Sequence, residues 1–311
     1  MNYYFAPMEG ITDPIYRRLH HKYFPGMDRY YTPFLSPTVH RGLTPKEQRE
    51  LKKEDFPVVP QLLTKVAVDF LWMTKKCREL GYEEVNLNTG CPSGTVTAKG
   101  KGSGMLRDLD HLDRFLDTVF SAATLPVSVK TRIGFEAPEE FPRILEVFNR
   151  YPIKELTVHP RVRKVFYNGS VEMDAFRYAV QNSKNPLCFN GDLTSLSKIA
   201  AFREAFPQVQ AVMLGRGLIA DPGMLTKDGT QRETLEQFLE ELLGQYIENF
   251  GGAKNAMFRM KEHWRMLLCK FEGSEKLGKK LRKTTDIQEF RNLTSEILHT
   301  LPLRQELSPD W

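Results

Sequence analysis

Between residues 3 and 218 a short apolar or β-branched run gives way to a loop and then to apolar residues at helical spacing, eight times over. The runs are YYFAPM (3–8), YYTPFL (30–35), VVPQLL (58–63), EVNLNTG (84–90), VSVKTRI (127–133), ELTVHPR (155–161), LCFNGDL (187–193) and AVMLGRGL (211–218). Helices are expected at about 12–22, 45–53, 66–81, 109–123, 139–150, 173–182, 195–206 and 217–225. Eight such alternations predict an α/β fold, a (β/α)₈ TIM barrel with a parallel core. A doubly wound sheet usually has fewer strands and places its glycine-rich turn after the first one. Here the first run ends in APMEG instead.

At 226–233 the pattern stops in a polar, turn-rich TKDGTQRE. Beyond it TLEQFLEELLGQYIENFG, MFRMKEHWRMLLCKF and DIQEFRNLTSEILHTL are helical in spacing, with no strand signal. The expected organisation is a catalytic barrel over 1–230 and a small all-helical domain over 231–311.

Composition narrows the class. Hydrophobic residues make up 41% and charged residues 27%, as in ordinary globular proteins. No apolar run approaches the ~18 residues of a membrane span. The start, MNYYFAPMEG, lacks a basic segment followed by a long apolar one, so a cytoplasmic protein is expected. The four cysteines, Cys77, Cys91, Cys188 and Cys269, form no CxxC pair. That argues against a metal site and against a disulfide framework. Cys77 and Cys188 fall in apolar patterns and read as core thiols. Cys91, in NLNTGCPSGTV, sits in a polar Gly/Pro loop, which favours a chemical role.

The net charge is +5. From 254 to 283, ten basic and three acidic residues leave a local excess of +7, interleaved with Phe258, Trp264 and Phe271. A polyanion-binding face is expected there; a solvated helix face is the plainer alternative.

In a barrel, reactive groups gather at the C-terminal ends of the strands. Those ends supply Pro7, Met8 and Glu9; Gln61; Asn86, Asn88 and Cys91; Lys130 and Arg132; His159 and Arg161; Asn190, Gly191 and Asp192; and Gly215 and Arg216. The last two groups carry glycines and an arginine fork where barrels often hold phosphate.

Taken together, FAPMEGITDPIYR, NLNTGCPSGTV…KGKGSGML, VSVKTRIG, VHPR, FNGDL and VMLGRGLIADPGML resemble the flavin-dependent tRNA-dihydrouridine synthases, from about residue 4 to 225. The resemblance implies FMN on top of the barrel, NADPH as reductant, and reduction of the uridine C5–C6 double bond in folded RNA, usually tRNA. It assigns Pro7, Met8 and Glu9 to the flavin's border, Gln61 and Lys130 to its polar edge, and His159 to the ring and substrate. Asn190, Gly191, Asp192, Gly215 and Arg216 fall to its phosphate. Asn88 and Arg132 become candidates for the uracil edge, and Arg161 for the RNA. Cys91 becomes the general acid that protonates C5, a role an ordinary thiol with a pKa of about 8.5 fills without tuning. A monomer without metal or membrane attachment is expected. The loop with Lys99 and Lys101 reads as mobile and able to clamp RNA phosphate. The rival reading is an FMN-dependent small-molecule dehydrogenase of the dihydropyrimidine or dihydroorotate type, which gives no reason for the basic helical segment.

Overall fold

The computed structural model describes residues 1–37 and 42–307. It forms two compact units: Met1–Pro7, Asp28–Asp192 and Phe206–Met213 in one, and Met8–Met27, Leu193–Ala205 and Leu214–Trp311 in the other.

The first unit is built on a parallel barrel. Its strands are β1 (Asn2–Phe5), β2 (Arg29–Tyr31), β3 (Val58–Val59), β4 (Gln61–Leu62), β5 (Val85–Thr89), β6 (Val127–Gly134), β7 (Leu156–Val162), β8 (Leu187–Phe189) and β9 (Ala211–Leu214). Their order is β3-β2-β1-β9-β8-β7-β6-β5-β4. A parallel bridge between Leu35 and Leu62 brings the two ends together, with Leu35 N–H donating to Gln61 O and Leu63 N–H to Leu35 O, both at 2.8 Å. The run expected as one strand over 58–63 is two short ones. Pro60 has no N–H to give the ladder, so pairing is interrupted there. Tyr4, Ala6, Tyr31, Val59, Cys188, Ala211 and Met213 form one buried cluster of the barrel core.

The helices follow in chain order as α1 (Pro14–Tyr23), α2 (Pro45–Glu50), α3 (Ala67–Glu79), α4 (Gly94–Thr97), α5 (Leu109–Ala122), α6 (Phe141–Phe148), α7 (Met173–Asn182), α8 (Leu196–Ala205), α9 (Arg216–Ala220), α10 (Arg232–Asn249), α11 (Ala253–Leu267), α12 (Glu275–Lys283) and α13 (Ile287–Thr300). Their starts are chemically marked. Thr44 and Glu47 make a reciprocal capping box on α2, and Asp108 caps α5 through His111 N–H. The helix expected over 217–225 is shorter, because Pro222 disfavours helical backbone at Asp221 (φ −137°, ψ 76°).

In the second unit, α1, α8 and α9 group with α10–α13. Asp13 ties several of these helices together. Its carboxylate caps α1 through Tyr16 N–H at 3.0 Å, accepts from the Tyr246 hydroxyl at 2.9 Å and pairs with Arg259 at 2.7 Å. His263 stacks on Tyr16 with centroids 4.8 Å apart, and Trp264 stacks on Phe271 at 6.1 Å.

The basic stretch therefore divides. Lys270 is buried in an ion pair with Asp221 at 2.7 Å, Arg259 is spent on Asp13, and the Lys261 ammonium donates to Arg282 O and Thr284 O. Trp264 and Phe271 are core residues; of the three aromatics only Phe258 is exposed. Lys276, Lys279, Lys280, Arg282 and Lys283 remain as the exposed charge of α12.

Candidate active site

The parallel register aligns inward side chains across neighbouring strands. Gln61, Asn86 and Ser128 lie side by side on β4, β5 and β6. One step nearer the C-terminal ends stand Asn88, Lys130 and Thr157 on β5, β6 and β7, followed by the pair Arg132 and His159.

The loop leaving β5 is fixed by its main chain. Asn88 Oδ1 accepts from Gly90 N–H at 3.0 Å and Cys91 N–H at 2.8 Å, an Asx turn. The Cys91 carbonyl accepts from the backbone N–H of Ser103 at 3.1 Å and its hydroxyl at 2.8 Å. A Cβ on Gly102 would lie 2.9 Å from that carbonyl oxygen, and its φ is +58°, so this position requires glycine. Arg132 Nε donates to Gly90 O at 3.0 Å and Arg163 Nε to Pro92 O at 3.1 Å. The Cys91 thiol, half-buried, is thus carried on a backbone held at five amide or carbonyl groups of three successive residues.

Lys130, midway along β6, is half-buried. Crowding by protein atoms lowers its pKa to about 8, and Arg132 pushes the same way, while Cys188 and Cys91 oppose. Among the described residues no carboxylate pairs with it. Arg132 is lowered to about 10, chiefly by burial, and its Nη1 donates to Val162 O at 2.9 Å.

His159 is buried, with Nε2 3.2 Å from Arg161 Nη1. Arginine only donates, so Nε2 accepts in this contact. Tyr167 lies against this ring at 6.1 Å and under the Arg132 guanidinium at 5.2 Å.

Several expected roles change in this setting. Arg161 is 2% exposed, and its guanidinium holds Asp192, Gly169 O and His159, so it braces the site. Asp192 correspondingly holds Arg161. Asn190 donates to Met213 O at 2.7 Å. At Gly191 a Cβ would sit 2.5 Å from the Phe189 ring, so the fold itself requires glycine there. Asn88 and Arg132, expected at the uracil edge, also hold the Cys91 loop. In the second unit, Met8 N–H donates to Thr12 Oγ1 at 2.9 Å and Met8 O accepts from Ile11 and Thr12 N–H. Its backbone is consumed by its own turn, leaving the side chain for any ligand. Glu9 is exposed, and Gly215 leads directly into α9, which Arg216 begins. Pro7 ends the first segment of the barrel unit and Gln61 is buried within it.

Sequence reasoning missed Ser103, Arg163 and Ser128 as supports of the site, and placed Asn86 at a strand end without a role. The stretch expected as a mobile clamp, around Lys99 and Lys101, carries α4 and the Ser103 contact to Cys91. Among the described residues no group of three or more His, Cys, Asp or Glu is placed to hold a metal, and no helix is long and apolar enough to cross a membrane.

A tRNA-dihydrouridine synthase 1 described as probable, from Synechocystis sp., is 29% identical over 316 residues, covering 96% of this chain and 86% of that one. The tRNA-dihydrouridine synthase B of Proteus vulgaris is 30% identical over 220 residues, covering 70% and 67%. Among solved structures, a morphinone reductase mutant in complex with tetrahydroNAD matches with a TM-score of 0.51 at 10% identity over 72% of this chain and 85% of that one. A variant of NCR from Zymomonas mobilis matches at 0.51 and 11% identity over 76% and 87%. Identities this low speak for the barrel alone. The sequence model of the dihydrouridine synthase family matches residues 4–301, nearly the whole length, a span that includes Cys91 and Lys130; the chain belongs to that family.

Proposed function

We propose that this protein reduces the C5–C6 double bond of uridine in tRNA, using FMN reduced by NADPH. The observation that carries the reading is the pairing, in a chain of this family, of a thiol on an immobilised loop with a neighbouring lysine that has no carboxylate partner among the described residues. A half-buried cation of that kind suits an electron-rich ring bearing carbonyl oxygens. Gln61 has one amide hydrogen left after bonding Asn86. The residues of the barrel therefore fit a flavin ring: Lys130 and Gln61 at its polar edge, Pro7 at its border and His159 nearby. For the phosphate the barrel contributes the turn at 190–192; Gly215 and Arg216 are assigned by motif alone.

When bound, the flavin supplies a hydride to C6 of uracil. Cys91 holds the proton that C5 then needs, and Ser103 and Asn88 keep that thiol in one place. Lys130 offsets negative charge beside the ring. His159 offers a further hydrogen bond at the site. The exposed lysines and arginine of α12 are the proposed contacts to tRNA phosphate. A binding surface away from the chemistry is needed, because turning a base out of folded RNA costs a few kcal/mol.

Dihydrouridine mapping in tRNA from a deletion strain, complemented by wild type and by Cys91→Ala, tests the reading. Wild type should restore the modification. The purified Cys91→Ala protein should still bind FMN and oxidise NADPH, with product formation reduced about 10²–10⁴-fold, the usual contribution of a positioned general acid. Equal activity of wild type on free uridine and on tRNA would refute the RNA-directed reading and favour a small-molecule dehydrogenase.

A further inference from the structure

A single file of hydrogen bonds runs through the barrel from its floor to Cys91. Cys91 N–H and Gly90 N–H donate to Asn88 Oδ1. Asn88 Nδ2 donates to Gln61 Oε1 at 2.7 Å, Gln61 Nε2 to Asn86 Oδ1 at 2.8 Å, and Asn86 Nδ2 to Ser128 Oγ at 3.0 Å. Ser128 Oγ donates to Glu84 Oε1 at 2.6 Å. Glu84 is buried and pairs with Lys154 at 2.6 Å and Arg29 at 3.3 Å. Gln61, Asn86, Asn88 and Ser128 are all buried.

The sense of this file is forced at both ends. The Glu84 carboxylate, paired with two cations, accepts, and the Ser128 hydroxyl donates to it at 2.6 Å. Ser128 then accepts from Asn86, which orients the Asn86 amide, and the same step orients Gln61 and then Asn88. At the other end, two backbone N–H groups demand an oxygen, and Asn88 Oδ1 is what the file delivers. Its two lone pairs are filled, so Asn88 has only an N–H left for a ligand. Turning any one amide over would place donor against donor or acceptor against acceptor in a dry interior, where such mismatches are costly.

We propose that Glu84, Ser128 and Asn86 are positioning residues: a one-way relay that locks the amides of Gln61 and Asn88 in one orientation and, through Asn88, sets the Cys91 loop from the barrel floor. The role of the loop in proton donation rests on the function proposed above; the relay does not.

The test uses the full-length, flavin-loaded protein. In Ser128→Ala, amide hydrogen exchange at Gly90 and Cys91 should quicken about tenfold, the scale of one lost buried hydrogen bond. Alkylation of the Cys91 thiol, read by peptide mass against Cys269, should quicken similarly. Exchange in α5 and α6 should be unchanged. On tRNA, kcat for dihydrouridine formation should fall while KM, set by remote phosphate contacts, stays within about twofold. Ser128→Thr, which keeps the hydroxyl, should restore the wild-type rates. If Ser128→Ala does not fold, Glu84→Gln decides: its amide can donate to Ser128 and undo the forced sense, so the same two amides should quicken at least about threefold. Unchanged exchange and alkylation at Cys91 in a folded variant would overturn the relay, as would a quickening spread evenly over the barrel. A wild-type protein inactive on tRNA would sink the proposed function while leaving these exchange results to judge the relay.

Discussion

Lys130 should weaken the protein that carries it. The gap between its ordinary 10.5 and the value of about 8 corresponds to roughly 3 kcal/mol against the charged form, at about 1.4 kcal/mol per pH unit. Part of the side chain meets solvent, which reduces the penalty to about 2 kcal/mol. The sign follows from proton counts. Below pH 8 both folded and unfolded chains hold the proton and the full penalty applies. Between about 8 and 10.5 the unfolded chain binds more protons, so wild-type stability rises with pH in that window. Lys130→Met has no such term. Stripped of flavin, it should be about 2 kcal/mol more stable than wild type at pH 7, several degrees in midpoint for a domain of this size, and the advantage should shrink toward zero by about pH 10. Urea unfolding at pH 7 and 10 measures both, with flavin retention on gel filtration reading the functional cost. A Lys130→Met protein less stable than wild type at pH 7 would show that the ammonium is already well paired, and the argument for a ligand at Lys130 would fail.

Lys270 should behave differently from the lysines of α12. Removing it leaves Asp221 buried and unpaired, so Lys270→Ala should cost about 3–5 kcal/mol, while the salt dependence of tRNA binding stays as in wild type; a flattened slope would return Lys270 to the RNA surface. Reversing Lys279, Lys280 and Lys283 to glutamate should instead leave the fold intact and lower the slope of log K against log salt by about two to three, with unchanged NADPH oxidation; an unaltered slope would move the RNA contact elsewhere. Acid should open the helical unit before the barrel. Burial lowers His20 to about 3 and His263 to about 4, so as pH falls below 6.5 the unfolded chain binds protons that the folded one does not. Stability is then lost, approaching about 2.7 kcal/mol per pH unit for the two together. In the barrel, Glu155 is raised to about 7 by burial and works the other way between pH 7 and 4.5. Hydrogen exchange at pH 5 that opens β5–β7 before α10 and α11 would contradict this.

The barrel was legible because its strands are short apolar runs set off by turn residues, and seven of the eight expected helices were placed to within a few residues. The eighth was overextended because Asp221-Pro222 was read through instead of as a stop. Charge was less legible than periodicity. Lys270 and Lys279 belong to one basic stretch, yet Asp221, some fifty positions upstream in the chain, buries the first and leaves the second on the surface. Gly191 and Gly102 are both glycines of loops that follow strands. Their reasons differ: a phenylalanine ring crowds one and the Cys91 carbonyl the other, and neither contact is local enough to be read from sequence.

The polar residues within the strands held more information than their number suggests. A strand of a parallel barrel is covered on both faces and ordinarily reads as a continuous apolar run. Here β5 reads VNLNT and β6 VSVKTRIG, with polar groups at every second position. Such groups must satisfy one another or be satisfied by something bound. The structure shows the pairing: Asn86, Ser128, Gln61 and Asn88 satisfy one another in a file that ends on Glu84, and Arg132 is used on two main-chain carbonyls. Lys130, with Nη2 of Arg132, is what the pairing leaves over on these two strands. Which amide bonds to which depends on register and on side-chain orientation, so no motif could have assigned it. Once the pairs are drawn, the groups left over follow by subtraction, and they are ones whose charge the surrounding protein disfavours.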